Sequence, residues 1–98
     1  VTPLSLDTVV CASRNQVSSR VGDDAVILDL DSSLYYSLDP VGARIFELLQ
    51  QPRSLGAVLD DVVSEFEVDV ETARADLLAL VGSLIAQRLV EERPAGAP

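Results

Sequence analysis

The chain is 98 residues long and 48% apolar, and 16 Asp and Glu against seven Arg, with no Lys and no His, give it a formal charge of −9. That length sustains one domain with a modest core, without room for a second lobe around a deep catalytic cleft. Phosphate surfaces demand clustered cations, so this charge balance excludes nucleic acid and anionic membranes as partners.

Other absences narrow the classes further. A lone cysteine, Cys11, excludes an intrachain disulfide, and without His the usual zinc and haem ligand sets are missing, so neither a metal nor a cofactor is expected. In the run TVVCAS, Cys11 reads as a small buried hydrophobe, with no His to activate it as a nucleophile. No apolar run approaches the ~20 residues of a membrane helix and no signal pattern opens the chain, so the expected location is the cytoplasm.

In chain order, residues 1–7 read as a tether and residues 8–12, rich in β-branched side chains, as a first strand. The polar residues 13–20 read as loop or a frayed continuation of it. Gly22, Asp23 and Asp24 are turn chemistry, residues 25–30 (AVILDL) a second strand, Asp31, Ser32 and Ser33 another turn, and residues 34–38 (LYYSL) a third strand. Spacing this close predicts an antiparallel meander whose third strand is a free edge. That strand runs directly into Asp39 and Pro40, an N-cap followed by the residue best suited to the first helical position. Val41, Ile45, Leu48 and Leu49 then share a helical face.

Past a break at Gln51, Pro52 and Arg53, Ser54 offers a cap. Leu55, Val58, Leu59, Val62, Val63 and Phe66 form the one-sided stripe of a second helix. Asp60, Asp61, Glu65, Glu67, Asp69 and Glu71 crowd nearby but lack a calcium-loop pattern or a partner base, and read as a solvated face. Asp69 is expected to cap a last helix over residues 70–90. That helix carries two apolar stripes, Ala73, Leu77, Leu80 and Leu84 beside Leu78, Val81, Ile85 and Leu89. A helix on a small domain normally needs one. Residues 93–98 read as a disordered tail, leaving residues 8–92 as the domain.

The join LYYSLDPVGARIFELL, with Tyr36, Leu38, Asp39, Val41 and Gly42 in place, resembles the PqqD-like family, also called RiPP recognition elements. The second half is similar to the family's continuation, including its aromatic-x-Val-Asp turn at Phe66, Val68 and Asp69. The resemblance implies an α+β, winged-helix-like fold, with a three-stranded antiparallel sheet followed by three helices. It also implies a non-catalytic adaptor that captures the leader segment of a ribosomally made precursor peptide. The subfamily most resembled is the free-standing recognition protein of lasso-peptide clusters, whose partners are the precursor leader, a separate leader protease and a cyclase. By resemblance the leader adds as a strand to the third strand and lies against the last helix.

The candidate leader contacts are therefore Leu34, Tyr35, Tyr36, Ser37 and Leu38, together with Arg74, Leu77, Leu78, Val81 and Ile85. Of the stripes, Ala73, Leu77, Leu80 and Leu84 are assigned mainly to the core, and Leu78, Val81 and Ile85, with Arg74 at the rim, to the groove. The runner-up function is a PqqD-type peptide chaperone for a radical enzyme in cofactor biosynthesis. A winged-helix regulator ranks lower, because the last helix is not basic.

Overall fold

The computed structural model describes residues 4–93. In chain order the elements are β1 (Val9–Ala12), β2 (Gln16–Val21), β3 (Asp24–Asp29), β4 (Tyr35–Leu38), α1 (Pro40–Leu48), β5 (Arg53–Ser54), α2 (Leu55–Glu65), α3 (Val70–Ala86) and β6 (Val90–Arg93). The strands form two antiparallel sheets, ordered β5-β1-β6 and β2-β3-β4. The α+β class stands, with a three-stranded meander followed by three helices.

The meander is built from different residues than the spacing suggested. Most of residues 13–20, expected as loop or a frayed continuation of the first strand, fall in strand β2 (Gln16–Val21), and the first predicted strand belongs to the other sheet, between β5 and β6. Gly22, at φ 65°, turns β2 into β3 through a two-residue loop of the type II′ pattern. At the next turn the Asp29 carboxylate accepts from the Asp31 N–H at 3.0 Å and the Ser32 hydroxyl at 3.0 Å. That local bonding accompanies Ser33 at φ 61°.

All three predicted caps are present. Asp39 accepts from the Gly42 N–H at 2.8 Å, Ser54 from Ala57 at 3.2 Å and Asp69 from Thr72 at 3.1 Å. A Cβ on residue 42 would stand 3.2 Å from the Asp39 carboxylate and 3.4 Å from the Leu38 Cβ, so a glycine there lets the cap close. The arginine of α1 ties it to α2: Arg44 grips Glu65 through Nε and Nη2, at 2.8 and 3.0 Å, and also meets Glu47. Hydrogen bonding to Glu65 is the chief cause of a raised Arg44 pKa.

The last helix stops at Ala86, short of the predicted residue 90. Arg88 takes a left-handed φ of 62°, while its N–H donates to Ile85 O and the Leu89 N–H donates to Leu84 O, both at 2.9 Å. These two bonds are a Schellman motif. They turn Leu89 and Val90 off the helix and into the core, where both are buried, and β6 then pairs with β1. The predicted tail lies outside the described residues from residue 94 onward.

Ile27, Leu49, Leu55, Val58, Leu77, Val81 and Leu89 form the fully buried centre between the sheets and the helices. Each such side chain contributes about 1.5–3 kcal/mol relative to exposure. Residues 4–7, read as a tether, lie against this body. Leu4 and Leu6 pack on the core cluster, and the Gly56 N–H donates to Leu6 O at 2.8 Å, satisfying a donor at the start of α2.

Candidate functional site

Strand β4 pairs with β3 on one side only. The register sets Leu38 opposite Ala25, Ser37 opposite Val26, Tyr36 opposite Ile27 and Tyr35 opposite Leu28. The Asp29 N–H donates to Leu34 O at 2.9 Å, and antiparallel pairs alternate between bonded and non-bonded. The main-chain groups of Leu34, Tyr36 and Leu38 therefore point towards β3, and those of Tyr35 and Ser37 point out along the edge.

Side chains alternate in the other direction. Leu38 is buried and Tyr36 half-buried on the core side, whereas Tyr35, 70% exposed, and Ser37 lie on the opposite face, and Leu34 is exposed before the strand begins. The Tyr36 hydroxyl sits 2.8 Å from the Gln87 Oε1 and donates to it, joining the middle of β4 to the C-terminal end of α3.

The free edge borders a cleft of about 520 Å³ between β4, the start of α1 and α3. Its apolar lining comes from Leu38, Val41, Ile45, Val62, Val68, Ala73, Leu77 and Leu80, with Ser37, Thr72 and two carboxylates, Asp39 and Asp76, among them. The combination of an unpaired strand edge, an apolar trough beside it and acidic groups in its lining is suited to an extended chain. Backbone pairing would hold such a chain, and its alternate side chains would enter the trough.

Of the predicted contacts, Ser37, Leu38 and Leu77 line the cleft. The two stripes of α3 are divided differently from the reading above. Val81, assigned to the groove, is fully buried core, and Leu80, assigned to the core, is half-buried in the cleft wall. The wall of α3 is formed by Thr72, Ala73, Asp76, Leu77 and Leu80, while Arg74, Leu78 and Val81 each follow one of these positions, about 100° around the helix, and Ile85 follows the buried Leu84. Leu78 and Ile85 are half-buried against the core. Gly82, between them on that face, has the Leu4 Cδ1 only 3.9 Å from where a Cβ would stand, so the chain's own N-terminal segment covers part of the second stripe. Arg74 is exposed and has no ion pair among the described residues.

Sequence reasoning passed over Thr72, Asp76 and Leu80 in α3 and Val62 and Val68 before it. Leu80 had a signal, since it shares a stripe with Leu77. Asp76 had none beyond its position one turn from Leu80.

A free sheet edge alongside a helix-walled apolar cleft defines a strand-accepting binding module. The chain belongs to the PqqD family: the family described as Coenzyme PQQ synthesis protein D (PqqD) matches residues 24–90. Among solved structures it is similar to TbiB1, determined in complex with the TbiA(beta) leader peptide. The two share 31% identity and a TM-score of 0.76 over 90% of this chain and 98% of that chain. No curated protein matches the chain.

Proposed function

We propose that this protein is a non-catalytic adaptor that captures the leader segment of a ribosomally synthesised precursor peptide and delivers it to a separate processing enzyme, a leader protease of the lasso-peptide type. The observation that carries the reading is the likeness to TbiB1 across almost that whole chain, in a structure containing a leader peptide. The leader adds antiparallel or parallel to β4 through the outward main-chain groups of Tyr35 and Ser37. Its side chains enter the cleft over Leu38, Leu77 and Leu80, and a basic leader residue is favoured near Asp39 and Asp76. Leu34, Tyr35, Leu78, Ile85 and Arg74 serve as peripheral contacts, and Val81 acts from behind by supporting the cleft wall.

Function here is positional. Holding the precursor next to an enzyme turns the second encounter into an effectively intramolecular one, at millimolar effective concentration for a short tether. The test is to titrate the purified protein with its leader peptide by fluorescence anisotropy and then incubate it with full precursor and follow mass. Saturable binding with an unchanged precursor mass is expected, and cleavage or modification by this chain alone would refute the adaptor role. The family description favours a second reading, a peptide chaperone for a radical enzyme of cofactor synthesis. Preference for a quinone-cofactor precursor over a lasso leader in the same titration would establish it.

A further inference from the structure

The cleft beside β4 is mostly apolar, but the charges in its lining are of one sign. Asp39 and Asp76 are its carboxylates, and no Arg is among the lining residues. The two are not equivalent. The Asp39 Oδ1 is committed to the Gly42 N–H at 2.8 Å, where it fixes the start of α1. Asp76 is exposed and has no ion pair among the described residues. Its neighbours one turn away on α3, Thr72, Ala73, Ala79 and Leu80, carry no charge, and Arg74, two positions away, lies on another face. A carboxylate in the wall of an apolar cleft, with no cation from its own chain, suits a cation brought by the occupant.

The path of an added strand past Asp76 follows from two contacts. The middle of β4 meets the far end of α3, where the Tyr36 hydroxyl reaches Gln87 at 2.8 Å, while the end of β4, at Leu38, shares the cleft with Asp76, Leu77 and Leu80. Strand and helix thus run alongside each other in opposite senses, and a chain paired with β4 travels along α3. Cross-strand neighbours share a face of a sheet, so the leader residue facing Leu38 turns its side chain into the cleft, as does the one two residues on. Two residues of extended chain advance about 7 Å, and the helical turn from Leu80 to Asp76 spans about 6 Å. The steps match: with an apolar side chain over Leu77 and Leu80, the next side chain on that face passes Asp76. Val68, 37% exposed, belongs to the same lining, and the methylene stem of a Lys or Arg covers such a surface while its charged head meets a carboxylate.

We propose that Asp76 is a specificity-determining residue of the cleft, and that it selects leader segments in which a Lys or Arg stands two residues from a large apolar side chain, on the side that runs past the end of β4. This rests on the leader-binding reading above and deepens it: main-chain pairing at β4 accepts any extended sequence, the apolar lining asks for one bulky residue, and Asp76 fixes the register by demanding a cation one step further along. A segment with Asp or Glu at that step is rejected, because its carboxylate would meet Asp76 in a chain already at −9.

The test is a selection of phage-displayed random dodecapeptides on wild type, Asp76→Arg and Asp39→Asn, the last retaining a side chain that caps Gly42. Wild type is expected to enrich peptides with a Lys or Arg two residues from a large apolar side chain. Asp39→Asn should keep that pattern, and Asp76→Arg should keep the apolar residue but exchange the Lys or Arg for Asp or Glu. Resynthesised with a fluorophore, the peptide most enriched on wild type should bind Asp76→Asn about two- to fivefold more weakly in anisotropy at low ionic strength, and the difference should shrink as salt is added. A wild-type selection that converges on the apolar residue without a charge preference would overturn the proposal. So would an unchanged pattern on Asp76→Arg, or loss of the pattern on Asp39→Asn. Selected peptides that bind wild type but leave the Tyr35 and Ser37 amides open to hydrogen exchange would instead refute the strand-addition reading beneath it.

Discussion

Replacing Ser37 with proline tests the geometry of the edge at a single atom. The Ser37 N–H points away from β3, so the sheet loses no ladder bond and the substitution falls where an edge strand tolerates proline. A leader strand loses one main-chain donor, a net of about 0.5–1.5 kcal/mol, and its own carbonyl is left unpaired at a cost of about 1–3 kcal/mol. The sum, about 1.5–4.5 kcal/mol, weakens leader binding by roughly one to three orders of magnitude. Tyr36→Pro is the control with the opposite phenotype. The Tyr36 N–H is directed at Ile27, and its hydroxyl holds Gln87, so the substitution costs about 3 kcal/mol of stability and lowers the melting temperature by more than about 10 °C. Leader affinity by anisotropy and melting by circular dichroism separate the two. Ser37→Pro binding like wild type, or Tyr36→Pro melting like wild type, would refute the assignment of outward and inward groups.

Four further substitutions probe the helices. Val81→Ala, in the core, should cost about 2 kcal/mol in urea unfolding with little loss of leader affinity, whereas Leu80→Ala should spare stability and weaken the leader by about 1 kcal/mol or more. Arg88→Gly, which places glycine at the left-handed residue ending α3, should stabilise the protein by about 1 kcal/mol in the same assay. Asp39→Ala, which removes the cap on the Gly42 N–H, should destabilise it by about 1 kcal/mol.

The helices were legible because their start signals are local. Asp39, Ser54 and Asp69 each cap the first turn that follows them, and the stripe from Leu55 onward needs no tertiary information. The free edge at β4 was also legible, from the short turn before it and the helix after it. Strand β2 was hidden because its pattern is inverted. Its apolar Val17 and Val21 face solvent, while on the core side Arg20 reaches Glu47 at 2.9 Å, so alternation carries no inward hydrophobic signal. Two of its positions are serine, which reads as loop.

The end of α3 was missed for a related reason. Helices usually mark a left-handed stop with glycine, but here Arg88 occupies it, and Leu89 continues the helical stripe numerically after the chain has left the helix. The division of the α3 stripes depended on what covers each one. Leu4 at Gly82 and the β6 return are contacts between distant segments that periodicity along one helix does not encode.

The central claim, that a leader becomes the next strand of the β2-β3-β4 sheet, is tested most directly by residue-resolved amide hydrogen exchange across residues 34–38 with and without the leader peptide. The Tyr35 and Ser37 amides should exchange freely in the unbound protein and become protected on binding, while those of Tyr36 and Leu38 are protected in both states. Saturable leader binding without added protection at Tyr35 and Ser37 would contradict it.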